Sequence, residues 1–182
     1  MIKTRKKTSR FVQMVAAISL NGMISGAEPG SFMDYASDED GDWLRRCIDE
    51  SDVLVMGRKT YEIHVKDHRK PLIVFSKRVK HFQVDQDKHP EVHWFNDNRE
   101  NFDNLCDLLK YKKITVLGGA EIYHWFLYRN LITDLYLTVE PFVIDKGANL
   151  LEGKVFRELK AWKLKETQQL NDSGTLLLHY QP

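Results

Sequence analysis

Residues 114–123 read ITVLGGAEIY, an apolar run that ends at two glycines and continues into a helical pattern. The β-branched residues predict a strand, the Gly118-Gly119 pair predicts a tight turn, and residues 120–128 predict a helix. Glycine lets the backbone approach a ligand closely, and the N-terminus of a helix attracts anions. The turn therefore suits a phosphate group, although it matches neither the GxGxxG fingerprint nor the Walker A loop.

A second strand-to-helix turn lies at residues 53–61, which read VLVMGRKTY. The strand ends at Gly57 and a helix begins near Lys59, so that Arg58, Lys59 and Thr60 stand at its start. Two cations and a hydroxyl beside backbone N–H groups suit a phosphate of a nucleotide. The alternative is an ordinary strand–helix turn with a solvated basic pair. Two such turns in one chain suggest a dinucleotide held across two strand ends.

The alternation of strand and helix continues along the chain. Strands are predicted at 11–20, 53–56, 72–75, 92–95, 114–117 and 135–139, and helices at 38–50, from about residue 59, at 101–109 and at 120–128. Ser37 is expected to cap the first helix. The segments 161–166 and 175–180 are expected to form a terminal antiparallel pair. This order predicts an α/β domain with a largely parallel sheet, in which ligands bind at the carboxyl ends of strands.

Composition narrows the class of protein further. The chain has 182 residues, about the length of one domain, with 42% hydrophobic and 29% charged residues, which is typical of a globular protein. The formal net charge is +1, so the basic excess of a nucleic-acid-binding protein is missing. The two cysteines, Cys47 and Cys106, predict neither a disulfide framework nor a zinc site and favour the cytoplasm. The scattered histidines predict no metal site, and the apolar run 11–20 is too short to span a membrane.

The N-terminal residues 1–10 read MIKTRKKTSR and are basic. We expect a flexible, solvated tail there and a single domain at 11–182. The alternative is an arm that binds nucleic acid.

Four short segments appear in a recognisable order: VAAISLNGMI at 15–24, VMGRKTY at 55–61, LGGAEIY at 117–123 and DLYLT at 134–138. Together they resemble the superfamily that includes dihydrofolate reductases and the reductase (C-terminal) domain of the riboflavin-biosynthesis protein RibD. The resemblance implies a three-layer α/β/α fold of the dihydrofolate reductase type, with a mostly parallel central sheet and an antiparallel C-terminal strand. It also implies NADPH as the hydride donor, a small heterocyclic substrate and a homodimer.

The resemblance assigns roles to residues at both glycine turns and along the first strand. Arg58 and Lys59 would face the adenosine phosphates, Ser76 and Lys77 the 2′-phosphate, and the second glycine turn the pyrophosphate. Cations suit the extra phosphate of NADPH, and no acid is expected where it would favour a free ribose hydroxyl. The implied cofactor residues are Ala17, Ile24, Gly57, Arg58, Lys59, Thr60, Ser76, Lys77, Gly118, Gly119, Ala120, Glu121, Ile122 and Tyr123.

The substrate side of the site leaves alternatives open. Dihydrofolate reductases have one carboxylate on the first helix, but residues 37–43 read SDEDGDW and offer several acids. Asp40 and Asp42 are the catalytic candidates, although acids also favour the N-terminus of a helix without any catalytic role. An ungapped count from the first glycine turn falls on Gly41 rather than on an acid. The resemblance places Thr138 beneath the substrate pocket.

Two segments favour the RibD branch of the superfamily. Residues 19–22 read SLNG and resemble its Ser-Leu-Asp-Gly segment, with Asn21 in place of the acid. The resemblance makes Asn21 a substrate-side candidate, in a role that needs no charge. The loop 141–150 resembles its loop from proline to glycine. The chain has no Pro-Cys-x-x-Cys signature of a zinc deaminase. We therefore expect a stand-alone reductase acting on a pyrimidine or pteridine, for example 5-amino-6-(5-phosphoribosylamino)uracil.

Three further interpretations remain open at this point. The chain is alternatively a dihydrofolate reductase or another pteridine reductase, or a nucleotide-binding module without turnover. Arg69, Lys70 and Lys146 are candidates to anchor a phosphate or carboxylate of the substrate, with solvated surface positions as the alternative.

Overall fold

The computed structural model describes residues 10–27, 35–64, 69–85, 87, 91–151 and 161–182. The expected tail therefore lies almost entirely outside the described residues. Along the chain the elements are β1 (Phe11–Ser19), α1 (Asp38–Asp49), β2 (Val53–Gly57), α2 (Arg58–His64), β3 (Leu72–Phe75), β4 (Gln83–Asp85), β5 (Val92–Phe95), α3 (Phe102–Leu108), β6 (Lys113–Gly118), α4 (Ala120–Tyr128), β7 (Asp134–Glu140), β8 (Lys163–Gln169) and β9 (Leu176–Gln181).

One sheet contains all the described strands, in the order β4-β5-β3-β2-β6-β1-β7-β9-β8. The inner pairs from β5 to β7 are parallel. Both edges are antiparallel, through β4 against β5 and through β9 against β7 and β8. The predicted parallel sheet and its antiparallel C-terminal pair are thus confirmed.

Helices cover the sheet on both faces. Phe102 of α3 and Phe126 of α4 belong to the larger buried cluster. Ile48 of α1 and Tyr61 of α2 pack against the smaller cluster on the opposite face. These two clusters produce the expected three layers, because each face of the sheet buries its apolar side chains against a pair of helices. Within the described part of the chain, no helix is long and apolar enough to cross a membrane.

The first helix, α1, begins where the sequence predicts. The side chain of Ser37 accepts a hydrogen bond from the backbone N–H of Asp40 at 3.3 Å, which caps the helix. Trp43 packs against Tyr136 of β7 with 5.2 Å between ring centroids, and the backbone N–H of Ser37 donates to Glu140 at the end of the same strand, so α1 lies along β7. This packing sets which of the acids of α1 face the sheet.

The two glycine turns lie side by side because β2 and β6 are neighbours in the sheet. Gly118 has a φ of +95°, a conformation that side chains disfavour, and the peptide bond between Gly118 and Gly119 is cis. A Cβ at Gly118 would lie 2.6 Å from the ring of Tyr123. The turn therefore accepts only glycine at this position.

Candidate functional site

A cavity of about 1300 Å³ opens at the carboxyl ends of the central strands. It exceeds the roughly 300–1,000 Å³ of an ordinary small-molecule site, so it offers room for a dinucleotide together with a second ligand. One face of α1 lines the cavity with Asp40, Leu44, Arg45, Ile48 and Asp49. Most of the remaining lining comes from residues 15–17 of β1, 24–27 of the loop after it, 56–60 of the first glycine turn, 75–78 after β3, 119–123 of the second glycine turn and 147–148. Parallel strands bring these segments to one edge of the sheet.

The two glycine turns are joined by side-chain contacts. The hydroxyl of Thr60 accepts a hydrogen bond from the backbone N–H of Gly119 at 2.9 Å. A Cβ at Gly57 would lie 3.2 Å from the side chain of Ile122, so glycine lets the two turns pack closely. The hydroxyl of Tyr123 donates to the carbonyl of Val15 at 2.8 Å and fixes α4 against β1. The result is a rigid cradle of backbone along one side of the cavity.

Five cationic side chains line the cavity besides Arg58: Arg45, Lys59, Arg69, Lys77 and Arg78. Arg58 is paired with Glu62 of its own helix, with a guanidinium nitrogen 2.5 Å from a carboxylate oxygen. Ser76 is buried directly after β3, and its hydroxyl accepts from the backbone N–H of Arg78 at 3.2 Å. Such a wall favours an anionic ligand.

Of the three acids in the first turn of α1, Asp40 is the one that lines the cavity. It is 6% exposed, and its burial raises the pKa of the carboxyl. The hydroxyl of Thr138 opposes this rise in pKa, and the negative charge of Glu140 adds to it. Thr138 is fully buried, and its oxygen has no hydrogen-bond partner within 3.5 Å among the described residues. Because its pKa is raised, this carboxyl stays protonated at a pH closer to neutral than the carboxyl of an exposed aspartate does.

The structure brings most of the implied cofactor residues together. Thirteen of the fourteen line the cavity, from Ala17 of β1 to Tyr123 of α4. Gly118 is the exception, since it is buried and supports the turn under the ring of Tyr123. Arg69 is the one anchor candidate on the wall, whereas Lys146 is exposed outside it, and Lys70 donates to the carbonyl of Asp49 at 2.7 Å.

Three substrate-side candidates lie outside the lining of the cavity. Asp42 is exposed and paired with Arg45 one turn further along α1. Asn21 is also exposed, and its side chain donates to the carbonyl of Ile144 at 2.8 Å, joining the loops after β1 and β7. Thr138 is buried beneath Asp40. Asp40 therefore lines the cavity and Asp42 does not, whereas Asn21 joins the two loops outside the lining.

Sequence reasoning missed several lining residues. Asp97 and Trp125 both line the cavity, and the indole N–H of Trp125 donates to Asp97 at 2.8 Å. From the sequence, no acid was expected near the position implied for the extra phosphate. Asp97 is such an acid, because it follows β5, and β5 is the neighbour of β3, which leads to Ser76. Arg78 was detectable as the next cation after Lys77, whereas nothing local pointed to the pairing of Asp97 with Trp125.

Residues 11–175 match the family model described as dihydrofolate reductase. A reductase is the class of protein that this fold and this cavity define, and the chain belongs to the dihydrofolate reductase family. A relative in Bacillus subtilis, described as uncharacterized protein YwjB, is 29% identical over 175 residues, which cover 94% of this chain and 97% of the relative.

Solved structures share the fold at low sequence identity. A putative riboflavin biosynthesis protein from Shewanella sp. PV-4 has 16% identity and a TM-score of 0.71, over 94% of this chain and 98% of its own. A pyrimidine reductase-like protein from Corynebacterium diphtheriae has 17% identity and a TM-score of 0.72, over 94% and 91%. RibD from Acinetobacter baumannii has 14% identity and a TM-score of 0.73, over 96% of this chain and 59% of its own.

Proposed function

We propose that the protein is an NADPH-dependent reductase of the RibD C-terminal type, which transfers a hydride to a pyrimidine or pteridine ring. The observation that carries this proposal is the shared cavity. Both glycine turns, a cationic wall and the buried carboxyl of Asp40 line one space at the strand ends of a dihydrofolate reductase-family chain. A nucleotide site and a proton-carrying group beside one another are what a reductase of this class requires.

The residues of the cavity fit NADPH. Gly119 caps α4 without a side-chain hydrogen bond, which leaves the first backbone N–H groups of this helix for the pyrophosphate. Ser76 and Lys77, with Arg78 beside them, would hold the 2′-phosphate. Ala17, Ile24, Ile122 and Tyr123 would form the walls around the nicotinamide, and NADPH would supply the hydride when bound.

Asp40 is the group that we assign to the substrate. Its raised pKa lets the carboxyl carry a proton at the wall of the cavity. A protonated carboxyl can deliver a proton to a ring nitrogen or carbonyl, and an ionised one can accept hydrogen bonds from an amino group. Arg69, on the cavity wall, would pair with a phosphate of a ribosylaminopyrimidine.

A dihydrofolate or other pteridine reductase is the second candidate function. The observation that favours it is the single buried acid of α1, Asp40, which lies above the buried side chain of Thr138. This matches the single anchoring carboxylate that the resemblance to dihydrofolate reductases implies. A nucleotide-binding module without turnover is the third, and it differs from both by leaving NADPH unoxidised.

An oxidation assay distinguishes these functions. The purified protein would be mixed with NADPH and either 5-amino-6-(5-phosphoribosylamino)uracil or dihydrofolate, and the loss of NADPH absorbance would be followed. We expect oxidation with the phosphoribosylaminouracil, abolished in Asp40→Asn and retained in the matched control Asp42→Asn. Oxidation with dihydrofolate alone would favour the second candidate, and NADPH binding without oxidation would favour the third. Failure to bind NADPH would reject the proposal.

A further inference from the structure

Glu140 is a buried carboxylate outside the cavity lining. It ends β7 and is 2% exposed. Within the part of the chain that the structure describes, Glu140 has no Lys, Arg or His partner within 4 Å. A buried charge without a counter-ion is costly unless hydrogen bonds compensate it. Hydrogen bonds from neighbouring groups must therefore stabilise the charge of Glu140.

Three hydrogen-bond donors surround the carboxylate. One oxygen accepts from the backbone N–H of Ser37 at 2.9 Å and from the hydroxyl of Ser37 at 2.8 Å. The other oxygen accepts from the hydroxyl of Thr175 at 2.8 Å. The hydroxyl of Ser37 in turn accepts from the backbone N–H of Asp40 at 3.3 Å. A continuous chain of hydrogen bonds thus connects Thr175, Glu140 and Ser37 to the first turn of α1.

The geometry of β7 places Glu140 behind Asp40. Alternate residues of a strand face the same side, so Tyr136, Thr138 and Glu140 all face α1, as the contact between Tyr136 and Trp43 shows. Thr138 lies beneath the carboxyl of Asp40, and Glu140 lies one step further along the same face. The negative charge of Glu140 raises the pKa of Asp40, after the larger effect of burial.

Two other titratable groups, on α4 and on α1 itself, interact with the charge of Asp40. The phenol of Tyr123 on α4 and the thiol of Cys47 on α1 both interact with its charge. Burial raises the pKa of Tyr123 and raises that of Cys47 to about 12, so both groups are neutral near neutral pH. Neither group therefore adds a charge beside Asp40, whereas the carboxylate of Glu140 does.

We propose that Glu140 is a positioning residue for the reaction: Ser37 and Thr175 hold it as a fixed negative charge behind Asp40, where it favours the proton-carrying form of the Asp40 carboxyl. The inference rests on the proposed function, in which Asp40 supplies the proton. Glu140 touches neither the cavity nor its ligands, and it acts through Asp40.

The test is a titration of the Asp40 carboxyl in the free, full-length protein. Carbon-13 NMR of protein labelled at the aspartate carboxyls follows the titration, and Asp40→Asn assigns the signal. Glu140→Gln removes the charge and keeps the shape, whereas Glu140→Asp keeps the charge and shortens the side chain. Urea denaturation of each variant measures the structural loss separately.

We expect Glu140→Gln to lower the titration midpoint of Asp40 by on the order of one pH unit. Glu140→Asp is expected to keep the midpoint close to that of the wild type, even where it lowers stability. A wild-type midpoint in Glu140→Gln would overturn the proposal. If Glu140→Gln does not fold, Glu140→Ala, which also removes the charge, is titrated in its place: a lowered midpoint would support the proposal, and a wild-type midpoint would overturn it.

The titration needs neither cofactor nor substrate, so it separates this inference from the proposed function. A protein that fails to oxidise NADPH rejects the function and leaves the electrostatic effect of Glu140 measurable. Because Glu140 lies outside the cavity, NADPH affinity is expected to stay the same in Glu140→Gln, which provides a check that the cofactor site is intact.

Discussion

The burial of Asp40 suits the proposed proton transfer but lowers the stability of the folded protein at neutral pH. Its pKa is raised in the folded protein, chiefly by burial, so the folded state holds a proton that the unfolded state has released. Between the ordinary aspartate pKa and the raised folded value, stability therefore falls as the pH rises. Above that window the folded protein carries the full cost of an ionised, buried carboxylate.

Asp40→Asn removes this cost. The variant is expected to gain free energy of unfolding at neutral pH, by about 1.4 kcal/mol for each unit by which the folded pKa is raised, and to lose turnover. The gain should disappear below about pH 4, where both states of the wild type are protonated. Urea denaturation across this pH range measures it. Asp42→Asn, on the exposed side of the same helix, should show no such gain, and an identical pH dependence for wild type and Asp40→Asn would contradict the account.

Gly118 tests the packing of the second glycine turn. Gly118→Ala places a methyl group 2.6 Å from the ring of Tyr123, at a residue whose φ is +95°. Gly174 has the same φ with no atom within 4 Å of the added methyl group, so Gly174→Ala isolates the cost of the backbone conformation. We expect Gly118→Ala to lose about 1–3 kcal/mol more stability than Gly174→Ala. Equal losses in thermal or urea denaturation would show that the contact with Tyr123 is unimportant.

For single residues, the sequence predicted which ones form the two glycine turns, but it did not distinguish Asp40 from Asp42. The glycine pair and the Arg-Lys-Thr sequence are recognisable locally, because a strand-to-helix turn that binds an anion needs such residues next to one another. Asp40 and Asp42 are two residues apart and so lie about 200° apart around a helix, on nearly opposite sides. Which side faces the sheet depends on the packing of Trp43 against Tyr136, a contact between α1 and β7 that no local pattern contains.

The loops after β1 and β7 form one unit. The backbone N–H of Ile24 donates to Ala148 at 2.8 Å, and that of Leu150 donates to Gly22 at 2.9 Å. The side chain of Asn21 adds hydrogen bonds to both backbone groups of Ile144, donating at 2.8 Å and accepting at 3.2 Å. Since Ile24 and Ala148 line the cavity, this pairing of loops shapes the wall that we assign to the nicotinamide.

Asn21→Ala is expected to loosen this wall. NADPH affinity should fall several-fold while the free energy of unfolding changes by less than about 1 kcal/mol, because the lost hydrogen bonds are exposed. Calorimetric titration with NADPH, alongside urea denaturation, measures both effects. Asn104→Ala, at an exposed asparagine of α3 outside the cavity lining, is the matched control. Unchanged affinity in Asn21→Ala would show that the loops hold their shape without this side chain.

The elements themselves were largely predictable. The parallel strands are buried on both faces and read as apolar runs, and the terminal pair was marked by its turn at residues 171–174. The short edge strand β4 was missed because its three residues, Gln83–Asp85, carry no apolar pattern and owe their conformation to pairing with β5.

Across the whole molecule, the sheet ends at an exposed strand. The side chains of β8 are exposed along its full length, and among the described residues β8 pairs on one side alone, with β9. An unpaired strand edge is a surface for association, so we expect the homodimer that the resemblance implies to use this end of the sheet. Light scattering at micromolar concentration is expected to give the mass of two chains. The mass of a single chain would contradict this expectation.

Long-range contacts mark the limit of what the sequence could predict. Glu140 and Ser37 are 103 residues apart, and Asp97 and Trp125 are 28 apart. Each pair is formed by the order of strands in the sheet, which brings distant segments to the same edge. The positions of the two glycine turns, by contrast, followed from the rule that parallel strands end together.

The central claim is that the cavity binds NADPH, and calorimetric titration with NADPH and NADH tests it most directly. We predict one NADPH per chain, bound more tightly than NADH, with the preference reduced in Lys77→Gln because a cation beside the 2′-phosphate is lost. The wild-type protein failing to bind either nucleotide at near-millimolar concentration would contradict the account.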